Sequence, residues 1–149
     1  MTGSINIKYP NAFYRVGVKA VIKDNEGRVL CVHDTGDDDM WSLPGGGIDH
    51  GDDIRSGLAR ELVEEIDYSG EFSMEPRETA IYFSRAIGAH VLYMIYDVRL
   101  LESYEPHAGI DAKVVAYLTL EDIEKYKDRQ ADIIRKFGFE IPTTITMYK

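Results

Sequence analysis

Residues 44–68, PGGGIDHGDDIRSGLARELVEEIDY, join a glycine-rich turn directly to an amphipathic helix. At about 100° per residue, apolar side chains recur on one side of a helix predicted over residues 54–66, with Asp53 before it as the N-cap. This apolar stripe consists of Leu58, Ala59, Leu62 and Ile66. We therefore expect the helix to pack this side against a β-sheet.

Three glutamates gather on a different side of the predicted helix. Glu61, Glu64 and Glu65 are spaced i, i+3 and i+4, so their carboxylates are neighbours that repel by roughly 0.2–0.5 kcal/mol per pair. They also lie near the helix C-terminus, where the helix dipole disfavours anions. A hard cation such as Mg²⁺ would relieve both effects, and a solvated acidic surface is the alternative. The upstream glycines at 45–47, which let backbone approach a ligand closely, favour the metal site.

The remaining sequence alternates between strand and helix patterns. Strands are predicted at residues 13–22, 28–33, 79–84, 89–100 and 113–118, with the first two joined as a hairpin through the turn at 24–27. Helices are predicted at 120–127 and 128–137, an acidic loop at 35–39 and a final strand in the tail at 139–149. This order predicts an α/β sandwich with a central mixed sheet flanked by helices.

The motif around the acidic helix resembles a known family signature. Gly46, five residues, Asp52, seven residues and then residues 60–68 (RELVEEIDY) resemble the Nudix box, G-x5-E-x7-R-E-U-x-E-E-x-G-U, in which U is a bulky aliphatic residue. Residues 41–46 (WSLPGG) resemble the W-x-L-P-G-G lead-in, and residues 116–123 resemble the strand and helix start near Nudix C-termini. On these motifs the sequence is identified as a member of the Nudix hydrolase family, similar to MutT.

The resemblance implies a Nudix-type α/β/α sandwich over residues 1–149 as a single domain. It also implies a metal-dependent enzyme in which water attacks a phosphorus of a nucleoside diphosphate linked to another moiety. The substrate is left open among nucleoside triphosphates, dinucleoside polyphosphates and nucleotide sugars. A catalytically weak domain that only senses a nucleotide is the alternative, and a plain acidic interaction protein is a more distant one.

The family pattern assigns roles to several residues. The implied metal ligands for Mg²⁺ or Mn²⁺ are Glu61, Glu64, Glu65 and the backbone carbonyl of Gly45, and the implied catalytic set is Arg60, Glu61, Glu64 and Asp52. Arg60 is expected to orient a glutamate through a charge-assisted hydrogen bond. Asp52 stands where the family has Glu, so its auxiliary role is expected to be weakened. Asp67 replaces a glycine at the helix end, where Asp tolerates a left-handed backbone.

Residues outside the box are needed for proton transfer and substrate selection. The general base is left open between a box glutamate and one of two loop acids, Glu105 or Asp111. Arg15 and Lys19 share one face of the first strand and could meet phosphates. Tyr82 could stack on a base, although packing is the commoner role of strand aromatics.

Composition limits the partners that this chain can bind. The net charge of −9 argues against broad nucleic-acid binding, which needs clustered Lys and Arg, but does not exclude a small-molecule nucleotide substrate. No apolar run approaches the ~20 residues of a membrane helix, and the absence of a targeting signal predicts a cytoplasmic location. Cys31 is the only cysteine, and its strand context predicts a buried thiol. A homodimer is left open.

Overall fold

Two β-sheets and three α-helices make up the part of the chain that the computed structural model describes, residues 13–34 and 39–145. In chain order the elements are β1 (Tyr14–Val21), β2 (Val29–Asp34), β3 (Trp41–Ser42), β4 (Gly45–Gly47), α1 (Ile54–Ile66), β5 (Phe72–Ser84), β6 (Ala89–Leu100), β7 (Ala112–Leu118), α2 (Leu120–Glu124) and α3 (Arg129–Ile133), which continues as a π-helical turn, Ile134–Gly138.

The larger sheet is mixed, as predicted. Its strand order is β4-β1-β6-β5, with β1 and β6 parallel and the other pairs antiparallel. A second, antiparallel sheet has the order β3-β2-β7. The α/β sandwich is therefore confirmed, but its strands divide between two sheets. The predicted hairpin of the first two strands is retained only near the turn, where Lys23 forms a bridge with Val29 and the Leu30 N–H donates to the Ile22 carbonyl at 2.8 Å, because β1 and β2 belong to different sheets.

Helix α1 packs its apolar stripe into the first of two core clusters. Leu58, Leu62 and Ile66 are fully buried there against residues of both sheets. The second cluster lies under α2, α3 and the π-helical turn and contains Cys31. Cys31 is buried, so the predicted buried thiol is confirmed, and this burial raises the pKa of the thiol above its ordinary value.

The ends of α1 are set by two aspartates. The Asp53 side chain accepts a hydrogen bond from the backbone N–H of Ser56 at 2.7 Å, so the predicted N-cap is confirmed. Asp67 adopts a left-handed backbone with φ 53°, as its position in place of glycine predicted. These caps fix the ends of the helix, so the three glutamates lie in its last two turns.

Several predicted boundaries were wrong. β5 begins at Phe72 rather than residue 79, because a shift in pairing after Pro76, which has no backbone N–H, lets one strand continue through it. The helix predicted at 120–127 ends at Glu124, and the one predicted at 128–137 turns π-helical at Ile134. Residues 139–145 form no strand.

Residues 35–38 of the predicted acidic loop, and residues 146–149 of the predicted final strand, lie outside the described residues. Among the described helices, none has the length and apolar character needed to cross a bilayer.

Candidate active site

Strand β4 brings two glycines close to β1 and α1. Gly45 has φ +131°, and a Cβ built on it would lie 2.0 Å from the carbonyl oxygen of Val18. A Cβ on Gly46 would lie 2.6 Å from Oε1 of Glu61. Gly45 is therefore required for the close approach of β4 to β1, and Gly46 leaves space for the Glu61 carboxylate on the acidic side of α1.

Glu65 is the buried acid of the site. Only 9% of the residue is exposed, and its Oε1 accepts a hydrogen bond from the backbone N–H of Gly45 at 3.0 Å. Burial raises the pKa of the Glu65 carboxyl to about 8, and the neighbouring Glu61 adds to this shift, whereas Lys19 and the Gly45 N–H oppose it. Ionisation of Glu65 beside Glu61 is therefore unfavourable unless a cation compensates for the second negative charge.

A cavity of about 220 Å³ opens beside Glu65. Its lining residues come from both sheets, α1 and the loop before β7; they are Lys19, Val32, Asp34, Ser42, Gly45, Glu61, Glu65 and Asp111. Five of these eight were singled out from the sequence, and Asp34, Ser42 and Val32 were missed. The position of Asp34 depends on a shift in the pairing of β2 and β7 between His33 and Asp34, which no sequence pattern predicts.

Arg60 forms hydrogen bonds with several of the acids. Its Nη1 donates to Glu61 at 3.1 Å and to Glu64 at 3.4 Å, and its Nη2 donates to the carbonyl of Gly47 at 3.1 Å. The cluster predicted as mutually repelling is therefore partly neutralised. Glu64 does not line the cavity, and its side chain is 30% exposed against 13% for Glu61.

The other predicted acids are divided between the cavity and its surroundings. Asp52 is an ion-pair partner of Arg60 at 3.3 Å and does not line the cavity. Asp111 lines the cavity, and its backbone N–H donates to the Glu64 carbonyl at 2.9 Å, which fixes this loop to the end of α1. Glu105 lines a different cavity, beside Tyr104. Of the two loop acids considered as general base, only Asp111 lies where the box glutamates are.

Two of the predicted substrate contacts outside the box, Arg15 and Tyr82, bind or pack against other parts of the protein. Arg15 donates to the carbonyl of Ile48 and, at 3.1 Å, to Asp49, so it holds the loop after β4. Tyr82 is 3% exposed and stacks on Tyr93 within the second core cluster, a packing role. Phosphate binding by Arg15 and base stacking by Tyr82 stay predictions that this placement does not favour.

Lys19 is the third predicted substrate contact, and it lies inside the cavity. Its Nζ donates to the backbone carbonyls of Leu43 at 3.1 Å and Gly45 at 3.0 Å. The residue is 6% exposed. Phosphate binding by Lys19 stays a prediction, because in this structure its hydrogen bonds go to the protein.

The donors of this cavity fit a hard divalent cation. Glu61 and Glu65 supply carboxylate oxygens and Gly45 a carbonyl oxygen, the ligand type that Mg²⁺ and Mn²⁺ prefer. The burial of Glu65 agrees with this donor set, since a bound cation would stabilise its charged form. Within residues 13–34 and 39–145, no three His, Cys, Asp or Glu side chains converge closely enough to form a metal site by themselves. Glu64, predicted as a ligand, is turned to Arg60.

Sequence comparisons agree with the motif. The profile of the NUDIX domain matches residues 13–137. An RNA pyrophosphohydrolase from Saccharophagus degradans is 38% identical over 53 residues, which are 36% of this chain and 31% of that protein. Across the curated relatives, the matched segment spans 22 to 34% of their own length.

Solved structures share the fold. The NUDIX domain of Shewanella oneidensis NrtR, in complex with ADP ribose, matches with a TM-score of 0.68 at 20% identity, over 89% of this chain and 91% of that one. The binary complex of a C. elegans Ap4A hydrolase matches with a TM-score of 0.65 at 20% identity, over 85% of this chain and 96% of that one. At such identities the likeness concerns the fold alone.

Proposed function

The chain belongs to the NUDIX family, and from this premise we propose that it hydrolyses a nucleoside diphosphate linked to another moiety. Water adds to one phosphorus, the phosphoanhydride P–O bond breaks, and two phosphorylated products leave. The observation that carries this proposal is Glu65, a buried carboxylate beside Glu61 at an open cavity. Burying a charged carboxylate costs free energy unless an opposite charge lies nearby. A divalent cation bound together with the diphosphate would supply that opposite charge.

The roles of the chain's residues follow from their contacts. Oxygen atoms of Glu61, Glu65 and Gly45 would hold the cation, Mg²⁺ or Mn²⁺. When bound, it supplies Lewis-acid polarisation of a phosphate oxygen and lowers the pKa of water. Arg60 holds the Glu61 carboxylate in orientation through its 3.1 Å hydrogen bond. Asp111 lines the same cavity, which supports the proposal that its carboxylate accepts the proton of the attacking water.

Glu64 and Asp52 would contribute through Arg60, which both contact. Neither side chain lines the cavity. Their predicted catalytic roles are therefore proposed as positioning roles: they hold the guanidinium that orients Glu61.

The substrate class is proposed at the level of its diphosphate. The cavity of about 220 Å³ is smaller than the roughly 300–1,000 Å³ typical of ligand pockets, so it suits the phosphates while the nucleoside extends beyond it. Sequence relatives are named as RNA pyrophosphohydrolases, one structural neighbour is an Ap4A hydrolase, and another is in complex with ADP ribose. All of these ligands contain a phosphate–phosphate bond attached to a nucleotide.

A nucleotide sensor without turnover is the second candidate, and one observation favours it. The Gly45 carbonyl, an implied cation ligand, already accepts a hydrogen bond from Lys19. A site that keeps this arrangement would bind a nucleotide without supplying a cation for catalysis.

A panel of ADP-ribose, a dinucleoside tetraphosphate and nucleoside triphosphates, incubated with Mg²⁺ and assayed for released products, tests the proposal. We expect turnover, and a loss of roughly a hundredfold or more in Glu65→Gln. Glu75→Gln, which removes the same charge from an exposed site on β5, serves as the control and should leave turnover unchanged. Binding without turnover would favour the sensor. If the protein neither binds nor hydrolyses any of these nucleotides, both functions are contradicted.

A further inference from the structure

Lys19 is a buried ammonium that the mechanism above does not use. It extends from β1, where its backbone pairs with Gly45 on β4, and its side chain reaches back over that strand. The residue is 6% exposed, and its hydrogen bonds to the carbonyls of Leu43 and Gly45 are 3.1 and 3.0 Å long. A buried charge is expensive unless it is paired and hydrogen-bonded, so its position requires a compensating negative group.

Glu65 offsets part of this cost. Lys19 and Glu65 line the same cavity, and their attraction favours the charged form of the carboxylate against its burial. Both also contact Gly45: Glu65 accepts from its N–H, and Lys19 donates to its carbonyl. The ammonium therefore contacts the carbonyl oxygen, and shares a cavity with the carboxylate, that together would bind a divalent cation.

The packing around Lys19 holds the ammonium in this place. Its Nζ lies 5.4 Å from the centroid of the Tyr93 ring, within the range of a cation–π contact. A Cβ on Gly17 would lie 2.6 Å from that ring, so the glycine provides the space that the ring occupies. Tyr93 in turn stacks on the buried Tyr82. The position of Lys19 is thus determined by its surroundings, and it is not a surface side chain that happens to touch the cavity.

We propose that Lys19 is a positioning residue that occupies the cation position of the metal-free protein, where it keeps Gly45 and Glu65 in place and competes with the divalent cation for them. This inference rests on the proposed function, because it assumes that the cavity takes a cation. It differs from phosphate binding by Lys19, in which the ammonium would contact the substrate and leave the protein groups free.

Direct titration with Mn²⁺ alone, followed by the EPR signal of the free ion, tests the inference without substrate. Lys19→Met keeps the length of the side chain but removes the charge and frees the Gly45 carbonyl. Because two cations a few ångströms apart repel strongly in a partly buried site, we expect Mn²⁺ to bind at least about tenfold more tightly, or about 1.4 kcal/mol. Lys19→Arg keeps the charge and should bind Mn²⁺ as the wild type does. Lys23→Met removes an exposed lysine just after β1 and serves as the charge-matched control.

Thermal unfolding adds a second readout. In EDTA, Lys19→Met should melt at a lower temperature than the wild type, because Glu65 loses its counter-charge and two carbonyls lose a donor. Saturating Mn²⁺ should then raise its melting temperature by more than it raises that of the wild type. If the Met variant does not fold, Lys19→Gln, which is neutral but still a donor, is measured in its place.

The outcomes separate this inference from the proposed function. If the wild type binds Mn²⁺ and the neutral variants bind it no more tightly, the inference is wrong and the cation site stands. If the neutral variants bind Mn²⁺ and the wild type does not, the inference is supported, because the Lys19 ammonium then excludes the cation. If no protein binds Mn²⁺, both the inference and the cation-dependent function are wrong.

Discussion

At the scale of single residues, the three glutamates of the box are not equivalent. Glu65 is buried and accepts the Gly45 N–H, whereas Glu61 lines the cavity with a side chain that is 13% exposed. Glu64 lies outside the cavity as an i,i+4 partner of Arg60. Their position on one side of the helix predicts mutual repulsion, but the guanidinium of Arg60 contacts Glu61 and Glu64 and therefore offsets this repulsion unequally.

Substituting two of these acids should change stability in opposite directions. Glu65 has a folded-state pKa of about 8, above its ordinary value, so its ionisation lowers stability as pH rises from about 4.3 toward 8. Glu65→Gln cannot ionise, so in EDTA its melting temperature should exceed that of the wild type increasingly between pH 5 and 8. Glu64→Gln loses its ion pair and should cost about 0.3–0.5 kcal/mol at either pH. Equal and pH-independent shifts in both variants would contradict this distinction.

At the scale of elements, the caps of α1 explain how a helix with an acidic last turn is accommodated. The Asp53 side chain satisfies a backbone N–H at the start, and at the end the Asp67 N–H returns to the carbonyl of Val63. The loop before β7 also contacts this end, because Gly109 and Asp111 donate to the carbonyls of Glu65 and Glu64. These bonds connect the helix end to the loop that carries the candidate base.

Restoring the family glycine at the end of α1 tests this cap. Asp67 has φ 53°, a conformation that is unfavourable for residues with a Cβ, and its charge lies at the negative end of the helix dipole. Asp67→Gly should therefore be more stable than Asp67→Ala by about 0.5–1 kcal/mol in chemical denaturation, since both lack the charge and only glycine lacks the Cβ. A more stable alanine variant would show that the left-handed backbone carries no strain.

At the scale of the whole molecule, the cavity exists only where the two sheets meet α1. Lys19 comes from the mixed sheet, Asp34 from the antiparallel sheet, Glu65 from the helix and Asp111 from a loop. A ligand that binds all of these groups would connect elements from most of the chain. Binding at this junction should therefore stabilise the fold as a unit.

Divalent cations should raise the melting temperature of the protein. Binding to the native state alone adds about 2.7 kcal/mol at a concentration 100 times the Kd, and it also relieves the burial of charged Glu65. We expect millimolar Mg²⁺ or Mn²⁺ to shift the melting curve upward, EDTA to reverse the shift, and Glu65→Gln to reduce it. A melting curve that neither ion moves, together with turnover that survives EDTA, would show that the cavity does not use a cation.

The sequence alone determined the elements whose signals are local. Helical periodicity, the Asp53 cap and the left-handed Asp67 all depend on residues within a few positions of one another, and the structure confirms each. The glycine–helix motif likewise identified Gly45, Glu61 and Glu65, because strand β4 and α1 are neighbours in the chain as well as in space.

Only the tertiary structure decided how those acids differ and what surrounds them. The separation of β1 and β2 into two sheets depends on pairings between distant strands, and so does the entry of Asp34 into the cavity. The same holds for the presence of Asp111, rather than Glu105, at this cavity. The burial of Lys19 has the same origin, because a strand pattern shows which face a side chain is on but not what covers that face. Burial and counter-charges are properties of packed neighbours, and packing distinguishes residues that spacing along a helix treats as alike.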